Sequence, residues 1–277
     1  EQPIVTLAVP AAPAVKALPV GAGVQDGRFA LQRDGKLLLT ADTEGTLLYR
    51  ASTDNDTDVF FRRPLTPWQN QRTEVVSCKG IANGYEVVTR LTNGKGCYTV
   101  TDTYQGTDKG VLVTSVLHRE RGSRTVPRFG KVFRLDEIFD TVTYFARSGE
   151  SYCDMKDQFC VQQVTCPVSA MTEPNIRPQE SGNRMDCTAA ALTDGQLKVT
   201  FEAVGRPFEL AVKPYTDRAL TGMKHREDEV RTGTYVTVQA FQQGIGTGSC
   251  GPAIMPEFCY ELKQDCTLQF LIRVEEV

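Results

Sequence analysis

Short runs of β-branched and aromatic residues recur along most of this 277-residue chain, and glycine, proline or aspartate bounds each run. Such runs favour strands because branched and aromatic side chains pack well on a pleated surface. The main strand candidates are 29–33, 36–40, 86–91, 97–104, 111–117, 139–145, 197–203, 235–239 and 266–274. Asp34-Gly35 and Asn93-Gly94 each separate two of these runs and are typical of tight β-hairpins. The pattern predicts an all-β chain, a large antiparallel β-sandwich.

Two segments depart from this pattern. Residues 1–25 carry proline at positions 3, 10, 13 and 19, which excludes a helix and predicts an extended lead-in from a preceding domain. Residues 26–277 then form the sandwich domain. The short segment 216–224 favours a helix, with Asp217 supporting its first turn.

Charge and hydropathy exclude several classes of partner. Lysine plus arginine number 31 and aspartate plus glutamate 34, and no long run of like charge suggests a nucleic-acid surface. No apolar stretch approaches the roughly 18 residues of a membrane span. The first residues lack the basic start of a signal peptide, so we expect a cytoplasmic protein, with a periplasmic or secreted location as the alternative.

The nine cysteines do not form a metal-binding pattern. No two of them stand in C-x-x-C spacing, and none lies at ligand spacing from His118 or His225, so we predict no metal site. We expect buried thiols that act as small apolar side chains. A few disulfides are the alternative if the protein is exported.

Several polar phrases occur in a fixed order among the predicted strands. They are LYRASTDND at 48–56, VPRFG at 126–130, YFARSGESYCD at 144–154, RPQESGNRMD at 177–186 and QGIGTGSCGP at 243–252. Tyr215, Leu220 and His225 stand between the last two phrases. This order and spacing resemble the small-chain domain of family 2 β-galactosidases, over about residues 28 to 270.

The resemblance implies a supersandwich of the galactose-mutarotase-like kind that completes a galactoside-binding pocket. Retaining glycosidases need two carboxyl groups about 5–5.5 Å apart, and in this family a separate TIM barrel carries them. We therefore predict no catalytic residue in this chain, no activity of the chain alone, and a catalytic barrel domain or large subunit as its partner. By resemblance, Mg and Na belong to the whole enzyme, which is oligomeric and takes lactose-like galactosides, and this chain needs no cofactor.

The same resemblance suggests which residues serve the sugar pocket. The predicted pocket edge is Asp54, Asn55, Asp56, Gly246, Ser249 and Cys250, and the predicted supporting residues are Arg50, Trp68, Gln179, Glu180 and Arg184. Cys250 stands where related chains carry a tryptophan platform, so we expect altered stacking on the sugar. The alternative for 54–56 is a turn that satisfies its own backbone.

Three supporting residues also have simpler structural interpretations. Glu180 close to an arginine is typical of a buried ion pair rather than a catalytic acid. Arg50 is placed to pair with the acids of 54–56 and hold that turn. Trp68 is a core residue or a pocket wall.

Two other functions are compatible with such a chain. One is a free-standing sugar mutarotase, which would use a histidine and a carboxylate as acid and base; His118 and His225 are the available histidines. The other is a non-catalytic carbohydrate-binding module, although the chain has a single tryptophan for such a surface.

Overall fold

Strands make up most of the structure, a computed structural model that describes residues 7–56, 65–94, 96–246 and 254–277. The strands within these ranges are β1 (Val15–Lys16), β2 (Ala22–Gln25), β3 (Arg28–Arg33), β4 (Lys36–Leu47), β5 (Arg72–Ile81), β6 (Gly84–Asn93), β7 (Gly96–Thr107), β8 (Val111–Arg121), β9 (Arg128–Leu135), β10 (Thr141–Arg147), β11 (Val161–Pro167), β12 (Arg184–Cys187), β13 (Ala189–Thr193), β14 (Leu197–Ala203), β15 (Phe208–Lys213), β16 (Thr234–Gln242) and β17 (Cys266–Glu276). The helices are α1 (Thr66–Gln69) and α2 (Asp217–Gly222), with 3-10 turns at Asp54–Asp56, Lys156–Gln158, Val168–Ala170, Arg226–Asp228 and Pro256–Phe258. None of the described helices is long and apolar enough to cross a bilayer.

These strands form two antiparallel sheets. In the first sheet the neighbours run β11-β10-β13-β14-β17-β8-β7-β6-β5, and β1 pairs with β7. In the second sheet they run β12-β15-β16-β9-β4-β3-β2. Phe133 of the second sheet packs against Phe201 and Phe270 of the first, with ring centroids 5.6 and 5.8 Å apart. The predicted antiparallel β-sandwich is confirmed.

The predicted hairpin at Asp34-Gly35 is confirmed. β3 pairs with β4 across this dipeptide, and both turn residues have positive φ, +51° for Asp34 and +77° for Gly35. Two successive positive φ values match the right-handed twist of the flanking strands, as in a type I′ turn. The run at 139–145 is shorter than predicted, because Phe139 lies in a turn in which its amide donates to the Asp136 carbonyl, and β10 begins at Thr141.

The N-terminal segment contributes to both sheets. β1 pairs with β7, and β2 adds to the edge of the second sheet by pairing with β3. Leu18 and Val24 pack against the common core. The division of the chain at residue 25 stays a prediction.

The predicted helix forms as α2, and Asp217 lies in its first turn. The Thr216 hydroxyl caps this helix by accepting a hydrogen bond from the Ala219 amide at 3.1 Å. Asp217 turns inward, where its carboxylate accepts hydrogen bonds from Arg128 and Lys213. Asp217 therefore lies in the first turn as predicted, and its carboxylate is also bound by two buried cations.

Polar side chains are buried on the face of the second sheet that points away from the core. Along β15, Phe208, Leu210 and Val212 enter the core, whereas Glu209 and Lys213 alternate with them and lie on the opposite face. Successive side chains on a strand point to opposite faces. Both acid and base are nevertheless at least nine-tenths buried, so loops cover this face and create a polar environment there.

Candidate functional site

Four charged residues meet on this covered face. Lys213 Nζ lies 2.8 Å from Glu180 Oε2 and 2.7 Å from Asp217 Oδ1. Arg128 lies 2.7 Å from Asp217 Oδ2 and 3.9 Å from Glu180. Burial alone would raise the pKa of Asp217, but the charges of Arg128 and Lys213 outweigh burial and hold that pKa well below its usual range. This polar floor of two cations and two carboxylates keeps its charges because they are paired.

A second set of buried polar groups lies beside the floor. The Asn183 side-chain amide donates to Glu209 Oε2 at 2.7 Å and to the Ser151 carbonyl at 2.9 Å, and its oxygen accepts from Gln239 at 2.8 Å. Burial raises the pKa of Glu209 to about 7, although hydrogen bonds from Asn183 and the Gln242 amide oppose that shift. Burial therefore favours the protonated form of Glu209 relative to an exposed glutamate.

Arg50 joins two loops above the floor. Its guanidinium lies 3.0 Å from Asp56 Oδ1 and donates to the carbonyls of Gln243 and Gly244, both at 2.8 Å. Asp56 in turn accepts from the Thr53 amide at 2.8 Å. The predicted pairing of Arg50 with an acid of 54–56 is thus present, and Arg50 also fixes residues 243–244, which follow β16.

Asn55 strengthens the same junction. Its side-chain amide donates to the carbonyls of Ile245 at 3.2 Å and Gly246 at 2.8 Å. The Gly246 amide donates to Asp154 Oδ2 at 2.8 Å. Gly246 has φ +88°, which favours glycine, and an added Cβ there would lie 3.1 Å from the Asn55 side chain, a tight contact.

A cleft of about 530 Å³ opens beside this junction. That volume lies within the roughly 300–1,000 Å³ typical of small-molecule sites. Its lining, which we call the acidic cleft, consists of Thr53, Asp54, Asn55, Glu150, Met155, Gln158, Phe159, Glu173, Asn175, Gln179, Glu180 and Ile245.

Two carboxylates in the acidic cleft have oxygens without partners. Glu180 is 2% exposed, and its Oε1 has no hydrogen-bond partner in the part of the chain that the structure describes. The same holds for the buried Oε2 of Glu150. Burial raises the pKa of Glu150, assisted by the negative charges of Glu173 and Glu180, while the Gly182 amide opposes the shift. The cleft therefore presents acceptors that have no donor of their own.

The structure brings together most of the predicted site residues that it describes. Asp54, Asn55, Gln179 and Glu180 line the acidic cleft, and Gln179 Oε1 accepts from the Asp54 amide at 2.9 Å. Arg50, Asp56 and Gly246 form the adjoining junction. Ser249 and Cys250 lie outside the described residues.

Trp68 and Arg184 lie away from the cleft lining. Trp68 is 7% exposed and packs in the core against Tyr98, with ring centroids 5.4 Å apart. Arg184 donates to Tyr144 Oη at 3.2 Å and to the Met171 carbonyl at 3.3 Å. Glu180 is in a buried ion pair as predicted, but its partners are Lys213 and Arg128, because Lys213 projects from β15 onto the same face.

Sequence reasoning missed Glu150 and Phe159. Glu150 belongs to the phrase at 144–154, which contributed to the family resemblance but supplied no predicted site residue. Phe159 is an isolated aromatic residue in an irregular segment and carried no signal. The histidines lie elsewhere: His118 is exposed and bonds to Asp265 at 2.7 Å, and His225 is exposed before the 3-10 turn Arg226–Asp228.

The described residues contain no group of three or more His, Cys, Asp or Glu side chains that could hold a metal ion. No residue can therefore be assigned to the Mg or Na expected of a whole enzyme. The eight described cysteines are all free thiols. Burial raises the pKa of Cys187 above its usual range, consistent with an unreactive core thiol.

Comparison with solved structures finds proteins that align with this chain over most of their length, at TM-scores below 0.5. A galactose mutarotase-like protein from Lactobacillus casei aligns over 92% of this chain and 99% of its own, with a TM-score of 0.47 and 10% identity. A protein from Synechocystis sp. aligns over 98% and 99% of the two chains, with a TM-score of 0.45 and 11% identity.

Sequence comparison is more specific. The chain is 28% identical to a β-galactosidase of Staphylococcus xylosus over 216 residues, which cover 75% of this chain and 22% of that protein. It is also 28% identical to a β-galactosidase of Lactobacillus delbrueckii subsp. bulgaricus over 234 residues, covering 81% and 23%. The chain thus matches less than a quarter of the length of these curated relatives. The family model described as β-galactosidase small chain matches residues 24–272. This chain belongs to the β-galactosidase small chain family.

Proposed function

We propose that the chain is the small-chain part of a β-galactosidase and forms one wall of its galactoside pocket. The observation that carries the proposal is the convergence of Asp54, Asn55, Gln179 and Glu180 on one cleft in a chain of this family. The reacting carboxylates come from a catalytic domain outside these residues. The hydrolysis of a terminal β-galactoside is the reaction of the whole assembly.

In this proposal the chain binds and orients the sugar rather than attacking it. Arg50 and Asn55 hold the segment 243–246 against the 54–56 turn, so that the wall is set before the substrate arrives. Such positioning lowers the activation barrier of the reaction, because the entropy cost of orienting the pocket is met when the chain folds. Oε2 of Glu180 lies 2.8 Å from Lys213 and 3.9 Å from Arg128, so this oxygen has a structural role.

The test compares the purified chain with its assembly. We expect no cleavage of a chromogenic β-galactoside by the chain alone, and cleavage when it is expressed with the catalytic part encoded with it. Asn55→Ala in the assembly should raise KM more than it lowers kcat, because it loosens the wall of the pocket. Gln163→Ala, an exposed amide on β11, is the matched control. Cleavage by the chain alone at the rate of the assembly would refute the proposal.

The mutarotase hypothesis relied on His118 and His225. Neither lines the acidic cleft, and His118 is paired with Asp265 at the surface. A mutarotation assay on the chain, with both histidines replaced, tests that hypothesis directly. The binding-module hypothesis is tested by calorimetry with galactose, for which we expect binding weaker than a Kd of about 1 mM.

A further inference from the structure

We propose that Phe159 is the apolar platform of a sugar-ring site in the acidic cleft, and that Glu150 and Glu180 bind the hydroxyls of that ring. The ligand is a neutral, hydroxyl-rich ring. This inference deepens the proposed function and rests on it for the identity of the sugar. The platform belongs to this chain.

The acidic cleft has two unlike sets of lining residues. Met155, Phe159 and Ile245 supply apolar surface, whereas the carboxylates and amides of the lining supply hydrogen-bonding groups. A pyranose has the same division, with an apolar C–H face and a rim of hydroxyls. An aromatic ring combined with a few fixed polar groups is the usual way to bind such a molecule.

Phe159 is held in position by its surroundings. Its ring lies against Gly149, where an added Cβ would be only 2.4–2.7 Å from three ring carbons. Its backbone carbonyl accepts from Arg147 at 2.9 Å, and Arg147 also lies 2.7 Å from Asp186. The ring therefore rests on backbone next to Glu150 and is fixed before a ligand binds.

The polar side of the cleft contains hydrogen-bond acceptors that have no donor among the described residues. Glu180 Oε1 and Glu150 Oε2 are both buried and without a partner among the residues that the structure describes. Buried polar atoms are normally hydrogen-bonded, so each such exception needs an explanation. In the proposed complex these oxygens, which are buried in the free chain, turn towards the cleft and accept hydrogen bonds from sugar hydroxyls.

Charge restricts the ligand further. The described lining contains the carboxylates Asp54, Glu150, Glu173 and Glu180 and no lysine, arginine or histidine. The nearby Arg177 pairs with Asp54 at 3.5 Å on the exposed rim. An anionic sugar would meet like charge in the cleft, which disfavours it. The geometry therefore points to an uncharged ring.

Saturation-transfer NMR on the purified chain tests the site, because it detects binding in the millimolar range where calorimetry fails. We expect transfer from the protein to methyl β-galactoside, and none to galacturonate. Phe159→Leu should weaken binding by about tenfold, since stacking on the ring is lost. The matched control is Phe145→Leu, a phenylalanine on β10 that is 39% exposed and outside the cleft lining.

Gly149→Ala supplies a second variant that keeps the aromatic ring but displaces it. It should also weaken binding, and the thermal midpoint of each variant reports whether it folds. Equal binding by wild type, Phe159→Leu and Gly149→Ala would overturn the inference, and so would equal transfer to galacturonate. Absence of transfer to wild type would overturn it too, while leaving the proposed function intact if the assembly still cleaves galactosides. If saturation is transferred from the chain to methyl β-galactoside but the assembly does not cleave galactosides, the proposed function would be overturned and the sugar-ring site would remain.

Discussion

The guanidinium of Arg50 lies 3.0 Å from Oδ1 of Asp56, and neither side chain is more than 2% exposed. The two residues are close in sequence, but Arg50 also binds carbonyls almost two hundred positions later, at Gln243 and Gly244. One side chain therefore connects the 50–56 turn to the segment after β16. The edge of the acidic cleft depends on this connection.

Replacing Arg50 by methionine should destabilise the chain by about 3–5 kcal/mol, because Asp56 would remain buried without its cation. Urea unfolding measures the loss. Arg90→Met is the control: Arg90 is partly exposed and 3.8 Å from Glu74, and such a surface substitution should change stability by less than about 0.5 kcal/mol. Similar losses of stability for both variants would contradict the conclusion that Arg50 holds the 50–56 turn and the segment after β16 together.

Lys213→Met should be similarly costly, at about 3–5 kcal/mol, because Glu180 and Asp217 would share Arg128 as their remaining cation. The matched control is Lys198→Met. Lys198 Nζ lies 3.0 Å from Glu275, but both side chains are more than a third exposed, so the loss should be at most about 1 kcal/mol. Thermal unfolding of both variants at the same pH measures the two losses of stability and compares them.

Glu209 should make the protein less stable as the pH rises from about 4.5 to about 7. Burial raises its pKa to about 7 from an ordinary 4.5, so the folded state holds a proton that the unfolded state releases. The contribution is fully present below pH 4.5 and is lost through pH 7, and it amounts to about 3 kcal/mol.

Glu209→Gln should flatten that part of the stability profile, since the amide does not titrate. The free energy of unfolding, measured by urea at closely spaced pH values, provides the comparison. Parallel profiles for wild type and variant would show that Glu209 has an ordinary pKa.

The described thiols should differ in reactivity according to burial. Cys78 and Cys160 are exposed, whereas Cys187 is buried and has a raised pKa. A thiol reagent should label the first two in the native protein and Cys187 only after unfolding, because the thiolate is the reactive form. Peptide mapping by mass spectrometry identifies each site. Native labelling of Cys187 as fast as Cys78 would refute this order.

Comparing Gly246→Ala with Gly35→Ala distinguishes the effect of backbone strain from the effect of a steric contact with a neighbouring side chain. Both glycines have positive φ, +88° and +77°, but only a Cβ at Gly246 would meet a neighbour, the Asn55 side chain. We expect each variant to lose about 1 kcal/mol from the strained backbone. Only Gly246→Ala should raise KM in the assembled enzyme, and equal KM values would show that Asn55 tolerates the methyl group.

Local chemistry predicted much of the fold. Asp34-Gly35 specified its hairpin because both residues tolerate positive φ, and Thr216 begins α2 at the expected place. Asp217 shows the limit of that reasoning. Its place in the sequence suggests a helix N-terminus, but local sequence does not reveal that its carboxylate accepts a hydrogen bond from Arg128, which lies 89 positions away.

The candidate site was predicted in part. The acids and amides around Asn55 and Gln179 were identified from phrases typical of the family, and the structure places them together. The buried ion pair of Glu180 was predicted, but its partners Lys213 and Arg128 could not be named, because both lie far from Glu180 in the chain, while the nearby Arg184 projects towards Tyr144. Phe159 could not be found, because an aromatic residue in an irregular segment has no periodicity that reveals its direction.

The amino-acid sequence alone determined the all-β class, the hairpin turns and the resemblance that gives the family, since each depends on neighbouring residues or on short phrases. Tertiary structure decided which cation meets which carboxylate, and it placed Phe159 in the lining of the same cleft as the acids. The physical reason is that these contacts join residues far apart in the chain. The order of strands in two sheets sets such contacts, and no local pattern of residues encodes that order.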